Sequence, residues 1–406
     1  MRSARLKLVA WLLAVVAGLL PAQGLHAEEG SPRFTMGESW VTQLSLTERL
    51  ALSNIPDEPL WFVGEGLEEL PVYQPRSRGD GHQLPEAFSW TDVDGVNWLM
   101  PVRNQSQCGS CAAFGITSML EMQIKQDLNA PGLEIDLSDS HCLTCSGGSC
   151  EQGITLAQGI ATLMNEGLPT EACAPYIEAS GPLGGVELTA CDEGCDGRDR
   201  GRAYLREVER IQFAAGEELA QQVALMKEAL LDGPLLVRMT VWEDFHYYLS
   251  GVYEPVDPDP ETARAFHALL LVGYSDERGA WLARNSWGPN WGIDGYLWLA
   301  YGAAESHEFI YRGLSSSYRS LFDVDGDGHA AVEVGGDDCD DFSADVLPGA
   351  TEQPGDGVDS DCDGLDPEQS SGASCLTSSA LPAAVFWLPL LMATGLCRSR
   401  SMKETG

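Results

Sequence analysis

The chain has 406 residues, enough for one or two domains with cores of their own, and its apolar and charged content is ordinary for a globular protein. Its charge balance is not: 24 Lys and Arg stand against 61 Asp and Glu, a formal net charge of −37, which excludes nucleic acid and anionic membranes as partners held by bulk electrostatics. The acid is unevenly spread, because residues 321–369 hold no Lys or Arg while Asp recurs every few positions.

Taken in chain order, residues 1–27 carry the pattern of a secretory signal. Arg2, Arg5 and Lys7 precede an apolar run from Leu8 to Leu20, and Ala27 fits the last residue before cleavage. An uncleaved anchor is the alternative, with a run that is short for a full membrane span. Export makes disulfides the expected state of the 12 cysteines. Residues 28–83 are rich in turn residues and charge, with one amphipathic stretch over Leu44–Leu52, and read as a pro-segment or a linker. From Leu84 the apolar density rises and stays high to about Tyr318.

Within that region helical spacing of Ala113, Ile116, Leu120 and Ile124 predicts a helix over 112–126, and Leu219, Val223, Met226 and Leu230 predict another over 217–231, stopped by Gly233-Pro234. Strands are predicted over 235–241, 267–274, 280–285 and 295–299. Helices first and strands second suggest an α+β protein of two subdomains.

The chemistry sits in two blocks. The first reads Gln105-Ser106-Gln107-Cys108-Gly109-Ser110-Cys111-Ala112 and runs into the predicted helix. A thiol at a helix N-terminus feels the positive end of the dipole, so Cys111 is expected to have a lowered pKa and to react as thiolate. A redox pair or half a zinc site would also use Cys-x-x-Cys, but export argues against zinc and no thioredoxin-like βαβ pattern surrounds the motif. The second block is Phe266-His267 at the head of an apolar strand, then Asn285-Ser286-Trp287-Gly288, Trp291-Gly292 and Gly295-Tyr296.

Together these blocks resemble the papain family of cysteine peptidases. The likeness extends over about Leu84–Ser315 and includes Leu84-Pro85-Glu86-Ala87-Phe88-Ser89-Trp90 and Leu137-Ser138-Asp139-Ser140. The family's His and Asn follow its Cys by about 130 to 150 residues; His267 and Asn285 stand somewhat further on, as modest insertions explain. Ala112 departs from the signature, which has an aromatic residue there, and no long helical pro-region pattern precedes Leu84.

The resemblance implies a papain-like fold, helical on one side and β-rich on the other, with the active site in the cleft. It implies Cys111 as nucleophile, His267 as its proton partner, Asn285 as the group orienting the imidazole and Gln105 as oxyanion donor. Trp287, Phe266 and Gly153 would border bound substrate, and no cofactor is needed for catalysis. Protein or peptide substrates and a monomeric state are expected. A catalytically inactive surface-binding protein, or an exopeptidase or transpeptidase, are the alternatives. By the same resemblance Cys108 pairs with Cys150 and Cys145 with Cys191. Cys142, Cys173 and Cys195 stay unassigned, though Cys142 and Cys145 read better as members of two separate disulfides than as a metal pair.

Residues 319–368 form an acidic module. Asp323, Asp325, Asp327 and the carbonyl of His329 match the opening of a calcium loop, but Val334 stands where an EF-hand has its closing Glu. The later Asp-rich stretches resemble Asp/Cys metal-binding modules of bacterial surface proteins, with Cys339 and Cys362 as a clamp and Ca2+ as the expected ion. A solvated acidic linker is the alternative. Residues 369–406 end in an apolar run and basic residues. They resemble a C-terminal sorting tail of the MYXO-CTERM type, with a permanent membrane anchor as the alternative, and either would tether the enzyme to the cell surface.

Overall fold

A computed structural model describes residues 33–56, 70–75, 83–178, 185–193, 201–256 and 265–318, and beyond them 323, 327, 329–330, 332, 336–340 and 343–365. The expected signal sequence, the expected C-terminal sorting tail and Asp325 lie outside the described residues. Among the described residues no helix is long and apolar enough to cross a membrane.

The helices are α1 (Leu46–Ala51), α2 (Cys111–Leu128), α3 (Asp139–Cys145), α4 (Leu156–Asn165) and α5 (Leu219–Leu230). The strands run from β1 (Phe34–Met36), β2 (Ala87–Ser89), β3 (Tyr176–Glu178), β4 (Val186–Leu188) and β5 (Tyr204–Arg210) to β6 (Leu235–Val241) and β7 (Tyr248–Tyr253). They end with β8 (Ala265–Ser275), β9 (Ala280–Arg284), β10 (Tyr296–Ala300) and β11 (Ile310–Ser317). Both helices and all four strands expected in the apolar region are present, within three residues of their predicted ends. The fold is the α+β arrangement of two subdomains.

The sheet orders its strands β1-β7-β10-β9-β8-β6-β11-β5, with β2 added on β8. Strand β8 is central because it is apolar on both faces. Ala268, Leu270 and Val272 join the core around α2, α3 and α4, whereas Leu269 and Leu271 join the core of the strand-rich subdomain. Alternation of side chains along a strand thus serves two cores at once.

Helix α2 packs into the first of those cores and is buried from Cys111 through Lys125. Its close approach to the sheet depends on Gly115: a Cβ there would come within 2.8 Å of Leu236 Cδ1. That approach, one turn after Cys111, sets the thiol against the start of β8, where His267 stands.

The N-terminal segment is the main departure from expectation. It is neither loose nor remote. Strand β1 pairs antiparallel with β7 at the sheet edge. Trp40, Val41 and Leu44 are buried in the strand-rich core. Ser45 and Glu48 close a capping box on α1, with Glu48 accepting from the Ser45 backbone at 2.7 Å. Helix α1 falls within the amphipathic stretch over Leu44–Leu52, while the shorter β1 carries too little periodicity to be read from sequence.

Candidate active site

Cys111 opens α2, directly after the Cys108–Cys150 disulfide. His267 Nε2 lies 2.7 Å from Asn285 Oδ1, and the same oxygen accepts from the Ser286 amide at 2.8 Å. An oxygen that accepts from a backbone N–H is fixed as acceptor, so Nε2 carries the imidazole proton and Nδ1 is left with its lone pair. That Nδ1 has no hydrogen-bond partner. The backbone of Ala268, the residue after His267, acts on the Cys111 sulfur and favours its thiolate, which places the nucleophile at the strand that carries the imidazole.

Gln105 is held at both ends of its amide. Its Oε1 accepts from Ser286 Oγ at 2.6 Å, while Nε2 donates to Cys108 O at 2.6 Å and to Leu52 O at 2.8 Å. Trp287 is fully buried, with its ring centroid 4.9 Å from that of His267. On its other side it stacks on His246, 5.6 Å away and 8° from parallel. The Phe266 ring is covered by the Arg238 guanidinium at 4.0 Å, and its carbonyl accepts from Ile55 N at 3.3 Å. Gly153 takes φ +62°, and an added Cβ would sit 1.7 Å from Asn54 O, so only glycine admits the chain that crosses it.

Gln105, Cys111, Gly153, Trp287 and Phe266 meet the N-terminal segment. Leu52 gives its carbonyl to Gln105, the Asn54 backbone meets the Cys111 sulfur and crowds Gly153, and Trp40 Nε1 donates to Trp287 O at 2.9 Å. Arg49 anchors the segment through Tyr247 Oη at 2.7 Å and Glu243 at 3.0 Å. The sequence offered a pro-segment as one of two readings, but the contacts at Gln105 and Gly153 rest on backbone groups that any residue type supplies.

The cover reverses the expected electrostatics of the nucleophile. Cys111 was to have a lowered pKa at the helix N-terminus; instead burial pushes its thiol up to about 12, against the backbone groups that favour the thiolate. Burial also lowers His267 to about 4, although Asn285 favours its charged form. Burial thus pushes the pair toward thiol and neutral imidazole. Desolvation outweighs the dipole, which acts over the first turn and is modest in size.

The structure forms disulfides Cys108–Cys150, Cys145–Cys191 and Cys339–Cys362, and Cys173 is also disulfide-bonded. Cys195 lies outside the described residues. Cys142 corrects the reading of two separate disulfides: it is a free thiol, fully buried on α3 in the core around α2. No partner sulfur reaches it there.

In the acidic module His329 N donates to Asp327 Oδ1 at 2.7 Å and the His329 ring meets Asp337 at 3.0 Å. Among the described residues the carboxylates drawn together stand later in the chain. Glu352, Asp359 and Asp361 each place a ligand atom within 4.8 Å of the other two. Their stretches stood out in the sequence as acidic, but the approach of residue 352 to 359 and 361 is a tertiary contact, in which Glu352 Oε1 accepts from the Ser360 and Asp361 amides.

This fold and this cluster define a thiol hydrolase of the two-subdomain α+β class. Residues 84–312 match the model of the papain family of cysteine proteases, and the chain belongs to that family. Human cathepsin L2 is 32% identical over 228 residues, which cover 53% of this chain and 61% of that protein. Thiol protease aleurain of Arabidopsis thaliana is 33% identical over 226 residues, covering 54% and 56%. The matches thus span about three fifths of these relatives' own length. Among solved structures, digestive procathepsin L2 of Tenebrio molitor larval midgut aligns with TM-score 0.54 and 24% identity, over 70% of this chain and 85% of that one. Procathepsin B of Trypanosoma congolense aligns with TM-score 0.55 and 20% identity, over 69% and 92%. Residues 338–368 match a second model, Cu-binding MopE, a motif to which metal binding is ascribed.

Proposed function

We propose that the chain is an exported cysteine endopeptidase whose N-terminal segment is an inhibitory pro-segment. The observation that carries this reading is the contact of Gln105 Nε2 with the Leu52 carbonyl. The segment presents a peptide carbonyl to the very donor that would stabilise an oxyanion.

Once the cover leaves, the site regains water and the Cys111–His267 pair can ionise. The Cys111 thiolate attacks the scissile carbonyl carbon. Gln105 Nε2 and the Cys111 amide hold the oxygen as it becomes anionic. His267 Nδ1 gives its proton to the leaving amine, and a thioester remains. Water then adds to the thioester with Nδ1 as base, and the acid product departs as the thiolate returns. Asn285 keeps Nδ1 aimed at the sulfur by accepting Nε2–H, and Trp287 keeps water from that hydrogen bond. Gly153 and the Phe266 carbonyl supply backbone edges along which a substrate strand binds. Labelling with an epoxide thiol reagent tests the assignment: the reading requires a covalent adduct on Cys111 after activation and none in Cys111→Ser.

The acidic module is inferred to bind a hard cation. Glu352 Oε2 and Asp359 Oδ1 are buried without hydrogen-bond partners, and the donors are all carboxylate oxygens. Such a set suits Ca2+ better than copper, which favours imidazole or sulfur. Glu352, Asp359 and Asp361 would hold the ion, which supplies charge neutralisation and order to an outward-facing stalk.

A further inference from the structure

The segment that carries Gln105 borders a cavity of about 350 Å3. Residues 33–56 contribute nothing to its walls. It adjoins the proposed oxyanion site closely. Tyr176 Oη donates to Gln105 O at 2.6 Å, Ser106 Oγ donates to Glu178 Oε2 at 2.7 Å, and Asn104 forms a β-bridge with Trp287.

Its lining has two characters. Val102, Phe114, Tyr176 and Pro289 make apolar sides. Asp136, Asp139, Glu171 and Glu178 make an acidic remainder around Arg103. Arg103 does not satisfy this group. Its guanidinium is divided among Asp136 at 2.6 Å, Glu121 at 3.1 Å and Asp139 at 3.3 Å. Asp139 is 1% exposed, yet its Oδ1 has no hydrogen-bond partner, and neither has Glu171 Oε2. A buried carboxylate oxygen without a donor costs free energy, which a ligand carrying N–H groups would recover.

We propose that this cavity is a subsite for the cationic side chain, lysine or arginine, of a bound peptide. The inference rests on the reading of the neighbouring cleft as a peptide-binding site. A long amphipathic side chain matches both characters: its methylene stem lies along Phe114, Tyr176 and Pro289, and its charged end reaches Asp139 and Glu171. A bare metal ion would leave the apolar walls without a role. The mouth is acidic as well, since Asp136 and Glu178 are exposed and Asp139 lies at the floor.

The groups facing the floor carry a pH dependence. Glu121 on α2, Asp139 on α3 and Glu171 are each pushed up to about 7 by burial, against the pull of Arg103. Asp136, Glu178, Lys125 and Arg284 complete the surrounding charges, and Arg284 is committed to the carbonyls of Met100 and Pro101 at 2.8 and 2.7 Å. A cation favours the ionised carboxyls, so its binding releases protons and strengthens as pH rises through about 7.

Calorimetric titration of the activated wild-type chain, its Cys111 capped with iodoacetamide once the N-terminal segment has left the cleft, tests this with two acetylated, amidated pentapeptides of alanine, one with a central lysine and one with norleucine. At pH 8 the lysine peptide is expected to bind about tenfold more tightly, the size of one charge-assisted hydrogen bond. The preference is expected to shrink at pH 5, and to vanish in Glu171→Gln combined with Asp136→Asn. Proton release, read from the heats in two buffers, is expected with lysine alone. Equal or undetectable binding of both peptides at pH 8, in protein with an intact near-ultraviolet dichroism spectrum, overturns the subsite. If the epoxide still labels Cys111 in the wild type, only the subsite falls; absence of that labelling removes the peptidase reading beneath it.

Discussion

Cys111 is buried under the chain's own N-terminal residues, and its protonation follows from that position. Replacing it by alanine removes the sulfur and little volume, so Cys111→Ala is expected to abolish hydrolysis of a casein substrate while the melting temperature stays within a few degrees. His267 adds a pH dependence to the cover. Its pKa is lowered from 6.5 to about 4 in the covered state. A group depressed in this way favours the closed form above its ordinary value and withdraws that support as pH falls through 6.5 toward 4, because opening lets it take up a proton. His246, lowered to about 4 beneath Arg49 and against Trp287, works in the same direction. The difference is worth on the order of 3 kcal/mol for one such group. Labelling of Cys111 is therefore expected to accelerate between pH 6.5 and pH 4.5, and a rate that falls with acid would contradict the argument. The cysteine, histidine, asparagine and glutamine were legible as residue types at characteristic places. Their protonation in this state was not, since it is set by what lies over them.

Among the elements, the stretch from β1 to the end of α1 acts as a strap. Strand β1 holds one end to the edge of the sheet, Val41 and Leu44 pin the middle, and Leu52 to Ile55 lie across the catalytic groups. Val41 is fully buried and far from the chemistry in sequence, which makes it a clean handle. Val41→Asp places an unpaired charge in the strand-rich core, at a cost of several kcal/mol if the strap stays docked. The strap is expected to release, raising the labelling rate of Cys111 at least about tenfold by the same free-energy scale. Unchanged labelling would show that the strap is held mainly at Leu52 and Asn54. The helices α2 and α5 and the strands β6, β8, β9 and β10 were readable because their apolar periods are long enough to be distinctive. Strand β1 and the crossing at Asn54 were not, because so few residues carry too little pattern, whereas α1 falls within the amphipathic stretch over Leu44–Leu52.

At the scale of the whole molecule, two subdomain cores meet along β8, and disulfides close loops around the site. Cys108–Cys150 spans 42 residues and ties the nucleophile's turn to the Gly153 edge. Replacing both cysteines by serine is expected to lower unfolding stability by about 3 kcal/mol, read from denaturant midpoints. The acidic module is expected to bind Ca2+ with micromolar to submillimolar affinity in a calorimetric titration of the full chain, and Glu352→Gln is expected to weaken that binding without changing peptidase activity.

The sequence by itself determined the family, the two-subdomain class, the identity of the groups able to do thiol chemistry and the acidic character of the C-terminal module. These reside in residue types at fixed intervals, which local chemistry reads directly. The tertiary structure alone decided that the N-terminal segment lies in the cleft and that its burial holds Cys111 as a thiol. It also decided that Cys142 has no sulfur to pair with and that Asp139 and Glu171 share a cavity beside Gln105. Each of those depends on backbone groups and solvent exclusion brought together from distant parts of the chain, for which no residue pattern is required.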